Sequence, residues 1–549
     1  NSLMMIDIIS RWKERNPSNT QSLGFHEYDG VVNDLDIESI KKTIDEIEED
    51  LNILKGITEP EDKLEKFEYN LVKNELETEL FFWRDDREYE KSPIPYIGPL
   101  FSIEGTYVSR SFASRDERIK AIIKIQEKAP QMFEQARINM ITPLAKAKLM
   151  MSINFLEGLR NYFNDKLIEF VSKTNNDELL EKWSDVNERC INAMIKFTSD
   201  LKEKYLPEAT DEFALGEEKF CEMLEKTEGV SLNAAQLLEI GENALNRDYQ
   251  DIVKLADENN TTVESITNEM MKDIPKPEEL IMRTNESLDR TRDFLIEKDL
   301  VSLPSKEHCD VVDMPEYAKQ FAFAAMNTPG PFEKEEAKEA YYYVNIPPPG
   351  TNEMELQQRM SFFNLAQLEL VTIHEAWPGH YLQLLVNNKS KSDIAKMFAR
   401  STTLIEGWGL YTEKMIIDEG YDKLDLVKLR MAQLKASAMR AARFVSAVKM
   451  HCYGLQPQEA MTEIFMKKAF MTEAMARIEA NRGTINPMYL NYTLGKEMIY
   501  KLREDYKKEK GDKFKLKEFH DEMLSFASPP IAVLRKMMLV NPGNKEDFL

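Results

Sequence analysis

Two of the six histidines in this 549-residue chain fall within one short string, residues 374–380, which reads His-Glu-Ala-Trp-Pro-Gly-His. A histidine followed directly by a glutamate, with a second histidine close behind, is typical of a zinc site. His374 and His380 would supply neutral imidazole ligands, and Glu375 would act as the general base that takes a proton from metal-bound water. We therefore predict one Zn²⁺ per chain, bound in part by these two histidines.

The spacing of the two histidines differs from the usual pattern of zinc peptidases. Successive residues of a helix are about 100° apart, so His380, six residues after His374, would point roughly 120° away from it. Pro378 lacks an N–H and Gly379 permits unusual backbone angles. We predict a local bulge or break over residues 377–379 that turns His380 towards the ion. The alternative is that the helix ends there and His380 begins an unrelated segment.

A third ligand is expected from residues 405–411, Ile-Glu-Gly-Trp-Gly-Leu-Tyr. Glu406 is a carboxylate in an apolar stretch, where it requires a partner. Glu413, seven residues later, lies on the same face of the expected helix and is the rival ligand. If Glu413 does not bind zinc, it would orient one of the histidines.

These motifs carry a resemblance to a known family. Residues 374–383 resemble the HEAxPGHxxQ signature of the domain-of-unknown-function 885 family, and residues 406–411 are similar to its EGWALY element, with Gly409 where alanine is usual. The resemblance is dense from about residue 310 to about residue 534, although Ala447 stands where the family has an aspartate. It implies a zinc peptidase of the gluzincin type but names no substrate. Further matching segments are residues 443–451, 456–460, 492–495, 519–521 and 528–530.

Five more residues are candidates for the chemistry. By resemblance and by residue type, His451 and Tyr492 are expected to donate to the oxyanion of the transition state. Arg443 and Arg482, together with Arg440, would bind a substrate carboxylate through paired N–H groups. The alternatives are a core histidine, a core aromatic residue and structural salt bridges.

The rest of the chain must position these residues, and most of it is typical of helices. A break is expected at Pro143, and residues 92–100, rich in proline, predict a loop. Asn352 and Glu355 resemble a capping box that opens a helix running through Leu365 into the zinc motif. Long helices are predicted over residues 36–56, 61–87, 115–170, 178–204, 231–258 and 275–298.

One strand is predicted over residues 340–346, which are aromatic and β-branched and are followed by three prolines. Zinc peptidases that this motif resembles bind the substrate backbone along the edge of a small sheet. Tyr343 and Asn345 are therefore candidate substrate-binding residues. The alternative is a core strand that binds no ligand.

Composition limits the possible partners. A net charge of −24 argues against nucleic acid or an anionic membrane surface. No apolar run reaches 18 residues and no signal peptide is recognisable, so we expect a cytoplasmic protein that binds no membrane. The four cysteines are far apart and predict unpaired thiols. The sequence does not determine the oligomeric state.

Together these features predict a mainly α-helical, gluzincin-like protein with two helical lobes around a zinc-containing cleft and a small β-sheet. We expect an N-terminal lobe over residues 1–230 and a catalytic lobe over residues 231–549, although one continuous domain is the alternative. The predicted activity is that of a zinc metallopeptidase acting on a peptide or a small amide. Alternatives are a metal-dependent hydrolase of a non-peptide amide or ester, and a non-catalytic metal-binding protein.

Overall fold

The computed structural model describes residues 2–319, 322–544 and 549. Within these residues the chain is mainly helical and contains one small sheet, as the sequence predicts, and the sheet has three strands. The chain forms two compact units that divide near residue 213 rather than at residue 230. The first unit also includes two short segments from the second half of the chain. The first unit comprises Asn1–Phe213, Pro315–Ala322 and Asn327–Ala340, and the second comprises Ala214–Met314, Phe323–Met326 and Tyr341–Leu549.

The first unit is built of helices that pack around a core of buried aliphatic and aromatic side chains, among them Tyr107, Phe133 and Trp183. The predicted segment 115–170 is divided into four helices, and its main break contains Pro143 as predicted. In chain order, α1 to α11 are Ser2–Arg15, Pro17–Ser22, Ile37–Gly56, Lys63–Leu80, Glu88–Lys91, Ile94–Ser102, Arg115–Glu127, Ala129–Asn139, Lys146–Asn164, Lys166–Val171 and Asp177–Asp200. Short π-helical turns are Phe81–Asp86, Ile103–Val108 and Leu201–Tyr205, and short 3-10 turns are His26–Tyr28, Leu206–Glu208, Glu316–Ala318 and Glu335–Ala337.

The prediction of a loop over residues 92–100 is wrong, because most of this segment forms helix α6. Pro95 lies in the first turn, where no intrahelical N–H is needed. Pro99 removes one backbone hydrogen bond from the helix interior. Tyr96, Ile97 and Leu100 are fully buried on the same helix, and this burial outweighs the lost bond.

The second unit contains the predicted zinc motif and the sheet. Its longest helices are α13 and α21, which pack against each other. In chain order, α12 to α27 are Glu217–Glu228, Ala234–Glu258, Val263–Met270, Leu280–Lys298, Glu353–Ser361, Leu365–Glu375, His380–Asn388, Asp393–Phe398, Thr402–Asp418, Leu426–Cys452, Pro457–Glu459, Lys467–Ala469, Glu473–Ile485, Asn491–Lys510, Leu516–Ser525 and Ile531–Met538. A π-helical turn spans Ala460–Met466, and 3-10 turns are Pro277–Glu279, Pro487–Leu490 and Gly511–Lys513.

The helix that leads into the His374–His380 motif is not continuous, contrary to the prediction. Asn352 caps α16 as predicted, its side chain accepting from the Glu355 N–H, but α16 ends at Ser361. Asn364 then starts α17 by accepting from the Gln367 N–H. A side chain that bonds the backbone three residues later favours a new helix start over continuation, and this explains the interruption.

The sheet consists of β1 (Asp310–Asp313), β2 (Ala324–Asn327) and β3 (Tyr341–Val344), in the spatial order β1-β3-β2. β1 and β3 are parallel, with Asp310 opposite Tyr341. The predicted strand is therefore β3, and it is the central strand. Both of its edges are occupied, so a peptide could add only to the outer edge of β1 or β2.

Helices α20 and α25 cross closely because both carry glycine at the contact. A Cβ on Gly407 would lie 2.5 Å from Gly495 Cα, and one on Gly495 would lie 1.9 Å from the Thr403 carbonyl oxygen. This backbone contact brings the start of α25 close to the middle of α20. None of the described helices has the length and hydropathy needed to cross a bilayer.

Candidate metal centre

A break between two helices brings the two motif histidines together. Helix α17 ends at Glu375 and α18 begins at His380. The Gly379 N–H donates to the Ile373 carbonyl at 3.0 Å, which folds the connecting residues tightly against the end of α17. A Cβ on Gly379 would lie 1.7 Å from the His374 carbonyl oxygen, so only glycine fits. The two imidazole rings are 4.7 Å apart and perpendicular, as expected of a break that redirects His380.

Glu406, on α20, completes a group of three possible ligands. Its Oε2 lies 3.5 Å from His374 Nε2 and 3.3 Å from His380 Nε2. All three donor atoms lie within 4.8 Å of one another. Ligand atoms about 2.0–2.2 Å from zinc, at tetrahedral angles, are separated by about 3.3–3.6 Å. The observed separations to Glu406 fit this spacing without any rearrangement.

Glu413 contacts the opposite side of the His374 ring. His374 Nδ1 lies 2.7 Å from Glu413 Oε1, in a hydrogen bond that the carboxylate accepts. When Nδ1 carries the proton, the lone pair of Nε2 is free and points towards Glu406. Glu413 therefore fits the role of orienting His374, and not the role of third ligand. Glu406, Gly409 and Glu413 lie on one face of α20, and the ring lies over Gly409. A Cβ there would be 2.6 Å from His374 Cε1.

The charges at the site favour a cation. Burial alone would raise the pKa of Glu406. The charges and hydrogen bonds of His380 and His374 outweigh this effect, so the pKa of Glu406 lies well below its ordinary value. Burial lowers the pKa of His374, yet its bonds to Glu406 and Glu413 raise the value to about 9. The negative potential that holds a proton on His374 would also attract a divalent metal ion. His380 Nδ1 is buried and has no hydrogen-bond partner among the described residues.

Glu375 directly follows the first histidine and is half-buried at the end of α17. Its negative charge contributes to raising the pKa of His374 and the pKa of Tyr342 on β3. The Tyr342 hydroxyl lies 3.2 Å from Thr372 Oγ1, which packs the sheet against α17 just before the motif. A carboxylate adjacent to two imidazoles and a second carboxylate can exchange protons with water at this site.

Tyr492, on α25, lies near His374. Its ring centroid is 6.3 Å from that of His374, and the residue is half-buried. The crossing of α20 and α25 at Gly407 and Gly495 positions it there, which links two motifs 88 residues apart in the chain. Tyr492 therefore lies beside one of the three possible ligands.

His451 does not have the predicted role. Its Nε2 lies 2.8 Å from the Gly483 carbonyl oxygen, and its Nδ1 accepts from the Leu215 N–H at 3.3 Å. Its ring also stacks on Phe220. Both ring nitrogens bond to backbone, so His451 ties α21 to neighbouring segments and has no donor left for an oxyanion.

Of the three arginines predicted to bind substrate, Arg443 has a different role. It is buried and makes two hydrogen bonds to Glu479, from Nε at 2.6 Å and from NH2 at 2.8 Å. Its paired donors are therefore occupied within the protein. Arg482 is half-buried on α24 and forms no ion pair with any residue that the structure describes.

The structure places the two predicted substrate-binding residues of the sheet in contacts with other residues. Because side chains alternate along a strand, Tyr343 lies on the opposite face of β3 from Tyr342, which contacts α17. Tyr343 is buried beside Tyr341. Asn345 is also buried, and its Oδ1 accepts from Arg359 at 2.8 Å. Tyr343 therefore packs against a neighbour on its own strand, and Asn345, which follows β3, is bonded to α16.

The sequence matches the family described as "Bacterial protein of unknown function (DUF885)" over residues 17–538. This match covers nearly the whole chain. The protein belongs to this family. No curated protein matches the chain.

Two solved structures have the same fold as this DUF885 protein. One is from Shewanella oneidensis and is described as a candidate lipoprotein of unknown function. It has a TM-score of 0.80 and 22% identity, over 97% of this chain and 98% of the other. The second, from Colwellia psychrerythraea, is also described as a candidate lipoprotein, with a TM-score of 0.80 and 18% identity over 100% of this chain and 97% of the other.

Two contributors to the site were not predicted from the sequence. Glu479 pairs with Arg443 across 36 residues, and nothing in the local pattern connects them. Trp408, adjacent to a glycine in the EGWGLY element, donates from Nε1 to the Pro378 carbonyl at 2.9 Å and thereby supports the helix break. Trp408 lies within the EGWGLY element, which is the signal that could have identified it, whereas Glu479 lies in none of the matching segments.

Proposed function

We propose that this protein is a zinc-dependent hydrolase and, specifically, a metallopeptidase of gluzincin-like architecture. The observation that carries the proposal is the spacing of His374, His380 and Glu406. Glu406 Oε2 lies 3.5 Å and 3.3 Å from the Nε2 atoms of the two histidines, as expected around one tetrahedral zinc ion, and all three donor atoms lie within 4.8 Å of one another. Zinc at such a site acts as a Lewis acid that polarises a carbonyl group and makes water a stronger acid. Three protein ligands would leave one position for a reactant, as in catalytic zinc sites.

The chain's own residues supply the remaining chemistry. Glu375 would take a proton from the water that adds to the peptide carbonyl carbon, and would pass that proton to the amine as the C–N bond breaks. The Tyr492 hydroxyl would donate a hydrogen bond to the carbonyl oxygen as negative charge develops there. Glu413 would keep His374 in one orientation and one tautomer throughout.

Two other functions are compatible with the same ligands. One is hydrolysis of a non-peptide amide or ester, and the other is metal binding without catalysis. The buried, negatively charged ligand group favours a bound metal in all three cases, whereas the adjacent Glu375 favours catalysis. We further propose one zinc ion per chain, a peptide or small amide substrate, no nucleic-acid partner and a cytoplasmic location.

The test is hydrolysis of a peptide library by metal-loaded protein, with and without a chelator, beside a panel of esters. Glu375→Gln keeps the shape of the side chain but removes the base, so hydrolysis should fall by about 100-fold or more while zinc remains bound. Glu264→Gln, an exposed change on α14, is the matched control and should behave as the parent. Full peptide turnover by the Glu375→Gln protein, or turnover unaffected by metal removal, would exclude the proposed mechanism.

A further inference from the structure

Arg440, on α21, contacts two residues that lie beside His374. Its NH2 atom lies 3.8 Å from Glu413 Oε1, and its guanidinium carbon lies 5.7 Å from the centroid of the Tyr492 ring. Glu413 in turn bonds to His374 Nδ1 at 2.7 Å, and the ring of Tyr492 lies 6.3 Å from that of His374. The four side chains therefore form a closed ring of contacts, in which Arg440 reaches His374 through its two neighbours.

The guanidinium of Arg440 is held from several sides. Its NH1 atom donates to the Ala436 carbonyl at 3.3 Å, one turn earlier on α21, and its distance from the Tyr492 ring is that of a cation–π contact. The Arg440 side chain is 13% exposed, and that of Glu413 is 2% exposed. An ion pair so far withdrawn from water is screened little, so the attraction between the two groups acts at nearly full strength.

The Glu413 carboxylate requires a second contact to keep its orientation. Its Oε1 accepts from His374, whereas its Oε2 is buried without a hydrogen-bond partner among the described residues. The last torsion of a glutamate side chain is broad, so one hydrogen bond leaves the carboxylate free to rotate. The positive charge of Arg440 beside Oε1 favours the orientation in which this oxygen faces His374.

Arg443, three residues later on α21, does not have this role. Its Nε and NH2 atoms both donate to Glu479 on α24, which compensates its charge. Its guanidinium carbon also lies 5.1 Å from the Tyr492 ring centroid. The two arginines therefore pair with different helices, Arg443 with α24 and Arg440 with α20.

We infer that Arg440 is a positioning residue of the proposed metal centre. It holds the Glu413 carboxylate against His374 Nδ1 and thereby keeps His374 Nε2 directed at the metal. The inference rests on the proposed function, since it requires His374 to bind zinc. It also predicts the sign of an effect. A guanidinium near a cation repels it, so charge alone would make zinc binding tighter when Arg440 is removed, whereas a positioning role makes it weaker.

The experiment is a double-mutant cycle on zinc affinity with the parent, Arg440→Gln, Glu413→Gln and the protein that carries both changes. Metal-free protein is titrated with zinc against a chromogenic chelator. In the parent background, Arg440→Gln should weaken zinc binding by about 3- to 10-fold, because it acts one residue further from the metal than Glu413. In the Glu413→Gln background, it should leave the affinity within about 2-fold or tighten it, because the negative charge on which it acts is gone.

Arg430→Gln is the matched control. Arg430 is also on α21, and its NH2 atom lies 2.8 Å from Asp418 on α20, so this change removes another ion pair between the same two helices. It should leave the affinity for zinc at the parental value. Arg440→Lys keeps the charge beside Glu413, so its affinity for zinc should stay within about 3-fold of the parental value. Circular dichroism checks the fold of each protein.

Parental or tighter zinc binding by Arg440→Gln would overturn the inference, and so would an equal loss in both backgrounds. If Arg440→Gln does not fold, Arg440→Lys decides, and a loss larger than about 3-fold would show that the charge does not hold Glu413 in place. A parent protein that binds no zinc would overturn the proposed function and the inference together. The expected affinities in a protein that hydrolyses no peptide would leave the inference and remove the peptidase.

Discussion

Glu413 provides the most direct test of the proposed metal centre, because it touches the proposed ligand His374 and is not itself one of the three possible ligands. Its hydrogen bond to Nδ1 is 2.7 Å long, and both side chains are almost completely buried, at 6% and 2% exposure. Loss of a carboxylate that orients a metal-binding histidine lowers metal affinity by about 10- to 100-fold. This corresponds to about 1.4–2.7 kcal/mol of binding free energy.

Two substitutions separate orientation from charge. Glu413→Gln keeps an oxygen that can accept from Nδ1, so the affinity for zinc should fall by about 10-fold. Glu413→Leu leaves the buried N–H without an acceptor, so the affinity should fall by about 100-fold. The measurement is a zinc titration of metal-free protein against a chromogenic chelator, with thermal unfolding recorded in parallel.

The control for this series is Glu264→Gln, which removes an exposed carboxylate remote in sequence from the motifs. It should bind zinc as the parent does. His380→Ala removes a proposed ligand and should lose most of the metal. If both Glu413 variants bind zinc with parental affinity while His380→Ala does not, Glu413 has no orienting role and the reasoning is refuted.

Two further predictions concern the helix that carries Glu406 and Glu413. In Gly409→Ala the new Cβ would lie 2.6 Å from His374 Cε1, which is about 0.8 Å closer than the 3.4 Å of ordinary contact. The His374 ring must therefore shift, and the affinity for zinc should fall by about 10-fold. Parental affinity in the same chelator titration would show that the ring has room for the added methyl group. Glu228 is buried and accepts bonds from Ser401 and from the Thr403 N–H at the start of α20. Burial raises its pKa from 4.5 to about 7, so the folded state retains a proton that the unfolded state releases. The free energy of unfolding should therefore fall as pH rises from about 4.5 to about 7. Because glutamine does not titrate, the free energy of unfolding of Glu228→Gln should fall by up to about 3 kcal/mol less than that of the parent over this pH range. Denaturant unfolding at several pH values checks this, and a pH-independent difference between parent and variant would contradict it.

Local patterns in the sequence were sufficient to predict many elements of the fold. Helices such as α3 and α13 follow apolar periodicity and begin at capping side chains, Asp36 and Asn233, because these signals act over a few residues. The break after Glu375 follows from Pro378 and Gly379 for the same reason. The loop assigned to residues 92–100 failed because burial of Tyr96 and Ile97, a tertiary effect, outweighed the proline signal.

The sequence by itself determined which residues could bind a metal, because the imidazole and carboxylate groups of the motifs are set by residue type alone. It left Glu406 and Glu413 as alternatives, because both lie on one face of one helix. Only the tertiary structure distinguished them, by placing the His374 ring over Gly409 with one glutamate at each ring nitrogen. It likewise decided that His451 and Arg443 are bound to other parts of the protein. The physical reason is that a hydrogen bond depends on distances between residues far apart in the chain, which local sequence patterns do not encode.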